Sequence, residues 1–196
     1  MNKNRVVEVL KQSIEVKDKI LNDSKFIDEI AEIAQVIVDT YKLGGKVLIA
    51  GNGGSAADAQ HIAAELSGKF YFDREPLDAE ALHVNTSYLT AVANDYCYND
   101  IYSRAVKAKA KNGDVFIAIS TSGNSQNLIN ALEYCNKNEI ITIGFTGENG
   151  GKMKELCKYI LRVPSNDTPR IQEAHITLGH ILCELIETAL FGNENK

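Results

Sequence analysis

The stretch from Lys46 to Glu65 constrains this chain most. An apolar run, Val47-Leu48-Ile49-Ala50, empties into Gly51-Asn52-Gly53-Gly54-Ser55 and reopens as a helical pattern carrying His61 and Glu65. A buried strand that turns through glycines into a helix gathers backbone N–H groups and a helix N-terminus around one small volume, which suits an anion. A phosphate is expected there. His61 and Glu65 are four residues apart, so at about 100° per residue they lie about 40° from each other on one helix face. A metal or a proton transfer can use both. Glycine-rich loops also arise from turn geometry alone, so the combination carries the argument.

Around this stretch the chain alternates strands and helices. Val6, Leu10, Ile14 and Leu21 follow helical spacing, and Asp23-Ser24 offers a cap for a second helix through Phe26, Ile30, Ile33, Ile37 and Tyr41, ended by Gly44-Gly45. These two helices exceed what a parallel sheet needs, and they are expected both to cover the sheet and to join copies of the chain. Lys69 to Pro76 reads as an aromatic, charged loop. Further strands are expected at Ala81-Val84, Val115-Ile119, Ile140-Phe145 and Tyr159-Val163. The second of these, Val115-Ile119, runs into Ser120-Thr121-Ser122-Gly123-Asn124-Ser125, a second strand-to-helix turn whose hydroxyls and N–H groups can donate to phosphate oxygens. The expected fold is a three-layer αβα sandwich around a parallel sheet, with sites at the carboxyl ends of the strands.

The final helix is expected to start with Thr168 as N-cap and Pro169 at its first position, and it carries Gln172, Glu173, His175 and His180. On a helix Glu173 lies about 20° from His180, Gln172 about 80° and His175 about 140°. Spacing therefore pairs His180 with Glu173 or Gln172 and demotes His175. His61, Glu65, His180 and one of Gln172 or Glu173 would make a mixed nitrogen and oxygen set suited to zinc or a similar divalent ion. A phosphate cradle beside a carboxylate, an imidazole and a metal suits proton abstraction next to a carbonyl, with the resulting enediolate stabilised by the ion and nearby donors.

Composition narrows the class. With 196 residues the chain can build one sizeable core and is read as a single domain over 1–196, a helical oligomerisation segment (1–44) preceding the α/β core and C-terminal helix (45–196). A formal net charge of -5 argues against a nucleic-acid binder. Cys97, Cys135, Cys157 and Cys183 are spread without metal or redox spacing and are expected to be reduced. No secretory signal or membrane span is expected, which places the protein in the cytoplasm.

Four separated motifs are familiar together: Gly51-Asn52-Gly53-Gly54-Ser55, Ala93-Asn94-Asp95, Ser120 through Ser125, and Arg170-Ile171-Gln172-Glu173 followed by His180. They resemble the bacterial phosphoheptose isomerases of the sugar isomerase (SIS) family, in order and over nearly the whole chain. The resemblance implies a five-stranded parallel sheet and a homotetramer with sites at subunit contacts. It implies conversion of sedoheptulose 7-phosphate to D-glycero-D-manno-heptose 7-phosphate, the first step toward the heptose of bacterial surface polysaccharides. It also implies one zinc ion per subunit held by His61, Glu65, Gln172 and His180, with Glu65 as the base moving a proton between C1 and C2 and His180 as its acid partner. By the same resemblance Ser55, Ser120, Thr121, Ser122 and Ser125 cradle the phosphate, and Asn52, Gly53, Gly54, Asn94 and Asp95 line the sugar. Two positions depart from the pattern: Lys69 replaces an arginine, and Pro169 an acidic residue. The family also includes a non-catalytic partner of the replication initiator DnaA, the alternative reading; its members lose the glutamate and the late histidine that Glu65 and His180 supply here.

Overall fold

In this computed structural model, which describes residues 2–192, five strands pair in parallel. The strands are β1 (Val47–Gly51), β2 (Ala79–Ala81), β3 (Val115–Ile119), β4 (Ile141–Gly147) and β5 (Tyr159–Val163), in the order β2-β1-β3-β4-β5. Seven helices, α1 (Lys3–Leu21), α2 (Ser24–Lys42), α3 (Gly54–Ser67), α4 (Thr86–Asp95), α5 (Ile101–Lys109), α6 (Gln126–Lys137) and α7 (Thr168–Phe191), cover both faces. Period-2 alternation assigns the faces. Val47, Ile49, Val115, Ile117 and Ile119 pack under α1, α2, α3 and α7, whereas Leu48, Ala50, Phe116 and Ala118 pack under α4, α5 and α6. The expected αβα sandwich with its five-stranded sheet is what the chain forms. The ends of the reading over 1–196 lie outside the described residues.

β1 is flanked by β2 on one side and β3 on the other, so the chain reverses its winding direction there. Such a switch point opens a crevice outside the carboxyl ends of the two central strands. Both loops singled out in the sequence leave from it, Gly51–Ser55 after β1 and Ser120–Ser125 after β3.

Four expectations need correction. The second strand is Ala79–Ala81, not Ala81–Val84: register pairs Val47 with Ala79 and Ile49 with Ala81, and the chain turns through a Val84 N–H to Ala81 carbonyl bond. As an edge strand it needs only one partner and little apolar surface. The cap of α7 is Asp167, so Thr168 is already helical. The apolar stripe of α1 was expected to help cover the sheet, yet Val6, Leu10, Ile14 and Leu21 are exposed on the single chain; Val16 and Ile20 make the core contacts instead. Finally, α7 is long and apolar enough by composition to cross a membrane, which the sequence reading did not anticipate. In this fold its apolar face packs on α2 and α3 as a core helix.

Candidate active site

The phosphate end is built by the two loops. Gly53 starts α3 with φ +58, a left-handed backbone that glycine adopts without strain. Ser125 occupies the N-cap of α6 but makes no capping bond. Its hydroxyl instead lies 3.0 Å from Ser120 Oγ, which is 3.4 Å from Ser122 Oγ. Asn52, Ser55, Ser120, Thr121, Ser122, Ser125 and Gln172 line a cavity of about 180 Å³ between the loops. The N-terminal ends of α3 and α6, with their unpaired amides, border it.

Asn52 is held rather than free. Its Nδ2 donates to Asn127 Oδ1 at 3.0 Å, and its Oδ1 accepts from Asn127 Nδ2 and the Tyr98 hydroxyl, each at 2.9 Å. Asn127 is buried in α6, so an amide pair ties one loop to the other. Asn94 and Asp95 lie at the exposed end of α4 with Asn94 Nδ2 donating to Asp95 Oδ1, and they do not line the cavity.

The second half of the site lies along the seam of α3 and α7. A Cβ on Gly54 would fall 2.6 Å from Gln172 Nε2, and one on Gly179 would fall 2.6 Å from Ile62 Cδ1. His61 and His180 meet by their rings. The contacts advance together along both helices, so α3 and α7 run parallel, and glycines let them approach closely. At the far end His61 Nε2 is 3.0 Å from Glu65 Oε1, and one donor atom each from His61, Glu65 and His180 lies within 4.8 Å of the others. Two imidazoles and a carboxylate make a mixed nitrogen and oxygen group that could hold a metal ion. The structure thus brings three of the four predicted ligands together. The fourth, Gln172, lines the cavity about 12 Å of helical rise before His180; helix side chains lean toward the N-terminus, which aims His180 back toward it.

Glu173, which spacing left open, is bonded to Arg170 at 2.6 Å and stays outside the donor group. His175 is fully buried, donates from Nε2 to the Thr146 carbonyl at 3.1 Å, and is held by burial at a pKa of about 4. It is structural. Four residues with a bearing on the site escaped the sequence reading: Asn127, Asp58, Arg74 and Glu187. Asp58 lies one turn before His61; its buried Oδ2 has no hydrogen-bond partner among the described residues, and burial raises its pKa against the lowering effect of His61.

The SIS domain signature matches residues 10–147. The phosphoheptose isomerase of Clostridium acetobutylicum is 53% identical over 98% of this chain and 98% of its own. Phosphoheptose isomerase 2 of Campylobacter jejuni is 54% identical over 92% of this chain and 90% of its own. Among solved structures, the phosphoheptose isomerase of Francisella tularensis superposes with a TM-score of 0.91 at 34% identity, covering 96% of this chain and 100% of that one. That of Neisseria gonorrhoeae does so at 0.89 and 39%, covering 95% and 98%. None of these relatives is named as a partner of the replication initiator, so the non-catalytic alternative has no support. The chain belongs to the SIS-domain family and, within it, to the phosphoheptose isomerases.

Proposed function

We propose that this chain interconverts sedoheptulose 7-phosphate and D-glycero-D-manno-heptose 7-phosphate by moving a proton between C1 and C2 through an enediolate, at the head of bacterial heptose biosynthesis. One observation carries this reading: a hydroxyl-lined cavity and a His61–Glu65–His180 group sit at two levels of a single helix seam. Six residues of α3 separate Ser55 from His61, about 9 Å of rise. That is comparable to the reach of a seven-carbon chain from its phosphate to its carbonyl.

In this mechanism Ser55, Ser120, Thr121, Ser122 and Ser125 bind the phosphate. Asn52, Gly53, Gly54, Asn94 and Asp95 line the sugar. The Glu65 carboxylate takes the C1 proton of the ketose and returns it at C2, while His180 exchanges the proton of the adjacent oxygens. His61, Glu65, His180 and Gln172 would hold one zinc ion, whose charge stabilises the developing enediolate oxygens. The exposed stripe of α1 supports a homotetramer, as does the apolar groove of about 260 Å³ formed by Ile20, Leu21, Ile27, Ile30, Leu178 and Ile181. The whole chain acts as one cytoplasmic domain, with residues 1–44 joining the copies. Neither nucleic acid nor membrane is a partner.

The test follows aldose formation from sedoheptulose 7-phosphate by NMR, with metal-replete and chelator-treated protein and the Glu65→Gln and His180→Gln variants. Conversion that needs the ion and fails in both variants is expected. Conversion that survives chelation removes the metal from the mechanism, and binding without turnover removes the isomerase.

A further inference from the structure

The loop after α3 is aromatic and charged, and it is anchored by a residue far away in sequence. Glu187 and Arg74 are both buried, with side chains 1% and 2% exposed, and they form an ion pair at 2.9 Å. Glu187 Oε1 accepts from the Phe70 N–H at 3.0 Å and from Arg74 Nε, while Oε2 accepts from the N–H groups of Tyr71 at 2.6 Å and Phe72 at 3.0 Å. Arg74 spends its other donors on carbonyls: Leu66, Gly68 and Glu75 through Nη1, and Glu65 through Nη2 at 3.0 Å. Burial pushes the Glu187 carboxyl up, and the three amides with Arg74 outweigh this and hold it below the usual range.

A buried ion pair is poor evidence of stability for its own sake, since apolar replacements often serve as well. What distinguishes this one is what it touches. Arg74 grips the backbone of Glu65 itself. The amides held by Glu187 carry Phe70, whose ring centroid lies 5.8 Å from that of His180 and 4.5 Å from that of Tyr71. Glu187 follows His180 by seven residues, two turns along the same face of α7.

We propose that Arg74 and Glu187 are positioning residues for the site: together they fix the end of α3 that bears Glu65, and the aromatic wall beside His180, to α7. This rests on reading Glu65 and His180 as the reactive pair. Loss of the clamp loosens their mutual placement before it unfolds the chain.

The test compares wild type with Glu187→Gln, Arg74→Lys and Phe70→Leu at a temperature where each is fully folded. Amide hydrogen exchange at residues 70–72, Zn2+ affinity by competition with a chromophoric chelator, and kcat and KM are measured. Glu187→Gln is expected to speed exchange at the three amides, weaken Zn2+ binding by about 10- to 100-fold and lower kcat more than it raises KM. Phe70→Leu, which leaves the clamp intact, is expected to lower Zn2+ affinity and kcat while exchange stays slow. A Glu187→Gln protein that melts earlier yet keeps wild-type Zn2+ affinity and kcat would overturn the proposal, leaving a structural strut. If Glu187→Gln does not fold, Arg74→Lys and Phe70→Leu decide by the same readouts. If wild type binds Zn2+ but forms no aldose, the isomerase reading falls, and the Zn2+ affinities and exchange rates still decide this one.

Discussion

The rings of His61 and His180 meet edge to face, centroids 4.9 Å apart and planes 76° apart, across the seam of two parallel helices. That approach is possible because position 179 has no side chain: a Cβ there would lie 2.6 Å from Ile62 Cδ1 and 2.7 Å from Cγ1. Gly179 therefore sets the separation of the two imidazoles.

Gly179→Ala is expected to push α3 from α7. Overpacking costs roughly 1–3 kcal/mol, against about 1 kcal/mol regained in helix propensity, so the net loss of stability is small. The larger effect falls on the donor group, where Zn2+ affinity is expected to drop by about tenfold or more. Calorimetric titration of Zn2+ into Gly179→Ala and into Gly179→Ala with Ile62→Val checks this; affinity that is unchanged in the first, or unrecovered in the second, sinks it.

Much of this arrangement is legible in the sequence because it is local. The apolar run before Gly51 and the one before Ser120 announce buried strands, and the His61–Glu65 spacing puts two donors on one face before any fold is known. What stays hidden is what depends on distant partners. Position 187 reads as an acid on an apolar helix, and nothing local says that it takes three amides and an arginine from a loop more than a hundred residues earlier. Spacing likewise does not say that Arg170 engages Glu173. The stripe of α1 was legible as apolar, but period cannot say whether its partner is this chain or another copy.

The reciprocal amide pair of Asn52 and Asn127 joins the two loops of the cradle. Asn127→Ala leaves Asn52 Nδ2 without its Asn127 acceptor, while Asn52 Oδ1 keeps the Tyr98 hydroxyl and the Leu128 N–H keeps the Ser125 carbonyl, so it is expected to cost roughly 1–3 kcal/mol. Because both loops shift, KM for the sugar phosphate is expected to rise more than kcat falls. Steady-state kinetics beside urea denaturation checks both, and an unchanged KM with lowered stability would detach the pair from binding.

Asp58 has the opposite profile. Removing a half-buried carboxylate whose Oδ2 finds no donor among the described residues is not expected to destabilise the fold. Its electrostatic interaction with His61, one turn on, makes it a candidate orienter of that imidazole. Asp58→Asn, of equal volume, is therefore expected to melt no lower than wild type while binding Zn2+ about tenfold more weakly. Melting curves and competition with a chelator test the two halves separately.

His175 predicts an acid limb in the stability profile. Burial holds its imidazole at about 4, against 6.5 when unfolded. Its Nε2–H is committed to the Thr146 carbonyl, and the buried Nδ1 has no partner among the described residues to receive a new N–H. The native state thus stays neutral while the unfolded chain takes up a proton, so stability is complete above about pH 6.5 and is lost as pH falls toward 4. From pH 7 to pH 5 the loss is about 2 kcal/mol from this group. His175→Gln keeps a donor for Thr146 but cannot charge, and it is expected to flatten that limb at some cost in stability at pH 7. Urea denaturation of both proteins at pH 7, 6 and 5 measures the difference of slopes; parallel curves would show that the acid limb arises elsewhere.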